Sequence, residues 1–160
     1  MPDMLVRLYD LPAAEPIIER LSQDGILIRR AMAYEKHIVV TWVQQAFGRG
    51  WAGECDIAFS NSPISCYIAT YHGEVVGFGC YDSTCKNYFG PTGVSEATRG
   101  KGIGTALLLA CLHALRAQGY AYAIIGAAGP KEYYAKTVGA IEIPGSTPGI
   151  YRDLLKSEPH

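Results

Sequence analysis

The stretch TRGKGIGTALL, Thr98 to Leu108, sets three glycines and two cations directly ahead of a strong helical pattern. Ile103, Leu107, Leu108, Cys111, Leu112 and Leu115 share one apolar face, and Gly119 follows as a stop. The fold must therefore bury this helix and leave bare backbone and positive charge at its amino end. Such an end carries unpaired N–H groups and roughly half a positive charge, which suits a phosphate. Gly100, Gly102 and Gly104 remove the β-carbons that would hold an oxygen away, while Arg99 and Lys101 add cations. The stretch reads as a cradle for a pyrophosphate, with a plain strand-to-helix turn as the alternative. It lacks the Walker pattern G-x-x-x-x-G-K-S/T. For a dinucleotide fingerprint, Gly104 comes one place early and no acidic residue stands near position 120.

Around this loop the chain reads as one mixed α/β domain over residues 1–160, with a largely antiparallel central sheet. LVRLYDL (5–11) alternates as a strand, AAEPIIERLSQDG gives a short helix, and ILIRRAM a second strand. YEKHIVVTWVQQAFG is helical by its spacing. ECDIAFS, SCYIATY and EVVGFGCYD read as strands, with a tight hairpin at His72-Gly73. KNYFGPTGV continues the series, but Pro91 and Gly93 interrupt it, as at a bulge or a close approach by a ligand. After the long helix come a buried strand in YAYAIIGA, a short helix in PKEYYAKTVG, and closing strands in AIEIP and GIYRDLL.

Composition narrows the function classes. A net charge of −1 offers no global field for nucleic acid or anionic lipid, so any anion site is local. The longest apolar run falls far short of the ~20 residues of a membrane span, and the amino terminus does not resemble a signal peptide. Five cysteines without a C-x-x-C pair and four scattered histidines give neither a disulfide framework nor metal-ligand spacing. The expectation is a reduced cytoplasmic protein with no metal, no nucleic-acid partner and no membrane.

VSEATRGKGIGTALL resembles the acyl-CoA-binding motif of the GNAT acetyltransferase superfamily, Arg/Gln-x-x-Gly-x-Gly/Ala between a strand and a long helix. Arg99, Gly102 and Gly104 occupy its fixed positions. The preceding hairpin, the following strand and the tyrosine-bearing helix EYYAKTVGA come in that family's order, so the likeness covers roughly Ser65 to Leu155. It implies a mostly antiparallel sheet splayed in its middle, with acetyl-CoA as cosubstrate in the gap. Pantetheine would lie along the backbone of Val94, Ser95 and Glu96. The pyrophosphate would sit on Arg99, Gly100, Lys101, Gly102, Ile103, Gly104 and Thr105. Tyr134 would assist the leaving thiolate, and a backbone N–H near Val94 would meet the oxyanion. Two positions depart from the pattern. Gly129 and Pro130 stand where an Asn is frequent, and Tyr134 precedes Gly139 by one residue more than usual.

Acetyl transfer to an amine with pKa near 10 requires removal of a proton, because only about one molecule in 10³ is neutral at pH 7. Glu96 follows the splayed strand and is the first candidate base. Asp82, Glu54, Asp56 and an ordered water are others. The expected function is an N-acetyltransferase acting on a small-molecule or peptide primary amine by direct attack. The alternatives are an acyl-CoA-binding sensor without efficient turnover and an unrelated nucleotide binder. Trp42, Phe47, Trp51 and Tyr34 are candidates to line an aromatic acceptor pocket. Dimers are common among GNAT proteins, so a homodimer is a further expectation.

Overall fold

The computed structural model describes residues 1–156. Along the chain run β1 (Met4–Arg7), α1 (Glu15–Gln23), β2 (Ile26–Arg30), α2 (Lys36–Phe47) and α3 (Arg49–Ala58). The middle comprises β3 (Cys66–Tyr71), β4 (Glu74–Tyr81) and β5 (Tyr88–Val94). The rest is α4 (Ile103–Ala117), β6 (Tyr122–Ile125), α5 (Lys131–Val138) and β7 (Ile141–Glu142). The strands form one sheet in the order β2-β3-β4-β5-β6-β1-β7. Every pair is antiparallel except β5–β6, so the expected mixed, mostly antiparallel α/β fold is present.

Alternation along β4 assigns the two layers. A β-carbon at Gly77 or Gly79 would touch Leu107, Ile103 or Cys111, so this face is covered by α4. Phe78 and Cys80 point the other way and pack with Val39 and Val43 of α2 and Cys55 of α3. α4 is the central buried helix, with Leu107, Leu108, Cys111, Leu112 and Leu115 on the face read from the sequence. The β3–β4 hairpin turns at His72 and Gly73, both with positive φ (50° and 77°), the geometry that matches strand twist.

Several elements differ from the sequence reading. Residues 54–60 are not a strand: Ala52, Cys55 and Ala58 are buried three apart, so the short apolar run belongs to the inner face of α3. LVRLYDL is extended only to Arg7 and then tightens into a 3₁₀ turn. GIYRDLL forms no strand, and AIEIP contributes only the two residues of β7. The place beside β6 is taken by β1, paired Met4↔Ile125 to Arg7↔Tyr122. β5 is continuous despite Pro91 and Gly93. Its irregularity is a bulge: Tyr81 faces Phe89 and Gly79 faces Thr92, leaving Gly90 and Pro91 unmatched.

Candidate active site

The parallel pairing of β5 with β6 consists of Tyr88↔Ile124 and Phe89↔Ile125, and beyond it the strands part. Two cavities of about 460 Å³ each open at this gap. One lies on the α4 side and is lined by Val94, Arg99, Gly100, Gly102, Gly104 and Tyr133, among others. The second lies on the α3 side, between Trp51, Pro91 and the segment from Ile125 to Pro130. Phe89, Thr92, Pro130 and Tyr134 line both. These four residues thus stand between a cavity on each face of the sheet, and Tyr134 borders both.

The backbone of β5 presents donors to this gap. The Ser95 N–H donates to the Val76 carbonyl of β4 at 2.9 Å. Successive N–H groups of a strand point to opposite edges, so those of Val94 and Thr92 face the gap. The regular register from Gly77↔Val94 to Gly79↔Thr92 maintains that alternation. On the α3 side the missing β-carbon of Gly93 allows the ring of Phe47 to lie directly on the strand. Phe47 packs in turn on Trp51 and Phe78, at centroid distances of 5.3 and 5.7 Å.

The glycine loop is held open. Gly100 and Gly102 have φ of 84° and 93°, which L residues with side chains rarely adopt. Gly102 caps α4 with no side-chain hydrogen bond, and the first amide to enter the helix ladder is that of Ala106, donating to the Gly102 carbonyl. The N–H groups of Ile103, Gly104 and Thr105 precede that ladder, and Ile103 and Gly104 line the cavity. Gly104 is helical, and a β-carbon there would meet only Val94 Cγ2, at 3.7 Å. The space above it is therefore available to a ligand, and a positive helix end without acidic residues in its first turn suits a phosphate.

Of the residues expected at the cofactor, Val94, Arg99, Gly100, Gly102, Ile103 and Gly104 line this cavity. The Ser95 hydroxyl is tied to that of Thr98 at 2.7 Å. Lys101 is exposed on the loop, and its carbonyl accepts a hydrogen bond from Arg20 Nη2 at 2.9 Å. The Thr105 hydroxyl meets the Tyr133 hydroxyl at 2.5 Å, which ties α5 to the start of α4. Sequence reasoning missed Arg20 and the Tyr133 tie, since both act across large sequence separations and neither lies in a local pattern.

Tyr134 is buried, and burial pushes its phenol up to about 12. The extra residue before Gly139 is absorbed at the end of α5. Gly139 adopts a left-handed conformation, and the Ala140 N–H reaches back to the Tyr134 carbonyl at 3.3 Å. Glu96 lines neither cavity: its side chain is 91% exposed and lies 4.0 Å from Arg99. Asp82 accepts from the Asn87 N–H at 2.6 Å within the β4–β5 loop, and Asp56 pairs with Lys36 at 2.7 Å. Glu54 is half-buried on α3, one turn from Trp51, and accepts from the Thr84 hydroxyl at 2.5 Å. Of the aromatic candidates, Trp51 lines the α3-side cavity, Phe47 backs β5, Trp42 borders a separate groove and Tyr34 is exposed.

Comparison with known proteins agrees with this geometry. The model of the acetyltransferase (GNAT) family matches residues 32–139. No curated protein matches the sequence. A fungal GCN5-related glucosamine N-acetyltransferase region, within a multidomain β-N-acetylglucosaminidase, superposes with a TM-score of 0.72 at 16% identity, covering 89% of this chain and 19% of that one. A GCN5-related N-acetyltransferase from Sphaerobacter thermophilus gives 0.59 at 20% identity, over 89% of this chain and 48% of that one. A GNAT family acetyltransferase from Brucella melitensis, solved with acetyl-CoA, gives 0.54 at 20% identity, over 69% and 80%. This chain thus spans about a fifth of the first relative and half of the second, and likeness at these identities concerns the fold.

Proposed function

This chain belongs to the GNAT acetyltransferase family, and from that premise we propose that it transfers an acetyl group from acetyl-CoA to a primary amine by direct attack. The carrying observation is the pair of cavities that meet at Phe89, Thr92, Pro130 and Tyr134, one beneath the α4 amino terminus and the other beneath Trp51. The first fits the thioester donor. Amides at the start of α4, with Arg99 and Arg20 nearby, hold the pyrophosphate, and the Val94 N–H holds the pantetheine arm. The second admits the amine, so that donor and acceptor approach from opposite faces and are held in line.

At the junction the Thr92 N–H meets the negative charge that develops on the acetyl oxygen. Tyr134 donates a hydrogen bond to the departing sulfur. With its phenol near 12 and a thiol near 8.5, full proton transfer to the sulfur is uphill by about 5 kcal/mol, so its role is to stabilise rather than to protonate. The proton lost by the amine leaves toward Glu54 through water. Two of the carboxylates weighed above stand on α3, which contributes Trp51 to the acceptor cavity; Asp56 is paired with Lys36, whereas Glu54 forms no ion pair among the described residues.

A panel of primary amines incubated with acetyl-CoA and the chain, read by product mass, tests this reading. One acetylated amine per CoA released is the expected result. Saturable binding of acetyl-CoA without product on any amine would refute turnover and leave a sensor module.

A further inference from the structure

Away from the active site, the fold gathers three thiols that the sequence scatters. Cys66 and Cys80 are direct cross-strand partners on β3 and β4, and the inner face of α3 lays Cys55 over them. The three sulfurs lie within 4.8 Å of one another, and all three residues are fully buried. Buried cysteine commonly acts as a small apolar residue. Here, however, three sulfurs converge on one point, which apolar packing alone does not require.

Geometry and charge together select what could bind. Bonds of about 2.3 Å in the pyramid of a trivalent ion put three sulfurs about 3.5 Å apart, so a cluster whose sulfurs lie within 4.8 Å of one another closes by no more than about 1.3 Å. Its walls are apolar, built from Ala31, Val39, Val43, Ala58, Ile68 and Phe78. The charged side chain acting on Cys55 is the Asp56 carboxylate, which offers no compensation for a further negative charge. Three thiolates around a monovalent ion would leave two negative charges in this core, and around a divalent ion one. Uncompensated buried charge costs several kcal/mol. A trivalent ion leaves none. Zinc also requires a fourth ligand, and the cluster holds three among the described residues.

We propose that Cys55, Cys66 and Cys80 form a binding site for a trivalent thiophilic ion of the arsenite class, separate from the acetyl-transfer site. Arsenous acid exchanges three As–O bonds for three As–S bonds. Each thiol proton leaves with a hydroxyl group as water, arsenic stays trivalent, and the bound complex is neutral. Entry requires α3 to lift from the sheet, and Trp51, one turn before Cys55, lies on the same helix.

The test is titration of arsenite into the reduced full chain, read by native mass spectrometry and arsenic X-ray absorption. The expected result is one arsenic per chain in place of three hydrogens, with three sulfur neighbours. Both features should persist in the double variant C85S/C111A, which retains only the clustered thiols. Cys55→Ala, Cys66→Ala and Cys80→Ala should each weaken uptake by more than the roughly 10–100-fold seen when only a supporting contact is lost. Should a single variant fail to fold, the sulfur count in C85S/C111A decides the matter. Fewer than three sulfur neighbours, unchanged uptake in C55A, or no uptake by the folded wild-type chain would overturn the proposal.

Discussion

Replacing Gly104 with alanine should move stability and cofactor binding in opposite directions. Gly104 lies in the first turn of α4 with helical φ, so alanine suits its backbone, and the added methyl meets only Val94 Cγ2 at ordinary contact distance, 3.7 Å. Glycine in a helix costs roughly 0.5–1 kcal/mol relative to alanine. In a domain of this size 1 kcal/mol corresponds to about 2–4 °C, so the melting temperature should rise by about 1–4 °C. The same methyl occupies the space above the helix-terminal amides. Displacing a phosphate oxygen there loses at least one hydrogen bond to a charged group, worth about 1.5–3 kcal/mol. At 1.4 kcal/mol per tenfold, the affinity for acetyl-CoA should fall by about 10–150-fold. Calorimetric titration and a thermal melt of the same two preparations measure both. A raised melting temperature with unchanged affinity would show that the anion does not sit over the first turn. A lowered melting temperature would show that Gly104 serves packing. Gly102→Glu is a less clean probe, because a β-carbon there falls 2.7 Å from Arg20 Nη2 at a φ of 93° and strains the loop itself.

Tyr134→Phe should lower kcat by about 10–150-fold, the worth of one hydrogen bond to a charged sulfur, and a wild-type rate would remove Tyr134 from the mechanism. The same variant has a signature in stability. The folded chain keeps to about pH 12 a proton that an unfolded tyrosine loses near 10, so this contribution is intact below 10 and lost by 12, by about 2–3 kcal/mol. Urea midpoints at about pH 9 and pH 11.5 should therefore converge in Tyr134→Phe relative to wild type, and an equal alkaline loss in both would refute the burial argument. Arg20→Ala should weaken acetyl-CoA binding several-fold through loss of the bond to the Lys101 carbonyl and of a cation, with the difference shrinking as salt is added. A difference independent of salt would exclude an electrostatic role. Gly93→Ala drives a methyl into the Phe47 ring and should cost about 1–3 kcal/mol by denaturant titration, with part of that loss recovered when Phe47→Ala is combined with it. Strict additivity would sink the contact.

The shape of the cavity under the α4 amino terminus was legible because it is written in backbone. Gly100 and Gly102 are needed for positive φ and Gly104 for open space, so a local string of letters reports a three-dimensional cradle. The irregularity in β5 was also legible from a proline and a glycine, although the bulge falls at Gly90–Pro91 and leaves Val94 in register with Gly77. The misread segments are those whose partners lie far away in sequence. A short apolar run at 54–60 fits either period until α3 is seen against β3 and β4. The segment 149–155 has strand-like composition, but β1 already occupies the edge of β6, and the Tyr151 hydroxyl instead lies over Gly126. Glu96 was chosen for its place in sequence. The turn that carries it borders the α4-side cavity through Thr98, but the Glu96 side chain itself points into solvent beside Arg99 and lines neither cavity.

The α3-side cavity, proposed above to admit the acceptor, is built by side chains drawn from distant parts of the chain, and those side chains predict a selectivity. Met1, Trp51, Pro91, Ile125, Ala127 and Tyr134 are among its lining residues, and no lining side chain carries a charge. On the proposed reaction the amine attacks as its neutral form, which an apolar wall favours over the ammonium. A second ammonium on the same acceptor would enter a cavity whose lining holds no carboxylate, at a cost of several kcal/mol. Monoamines on an alkyl or aryl body should therefore exceed linear polyamines in kcat/KM by at least about a hundredfold, taking about 3 kcal/mol for the unpaired charge. Competition between the two classes in one vessel, read by the masses of both products, gives the ratio directly. Trp51→Glu should narrow it by providing the missing partner. Preference for the polyamine in the wild-type chain would mean that the acceptor enters elsewhere than beneath Trp51.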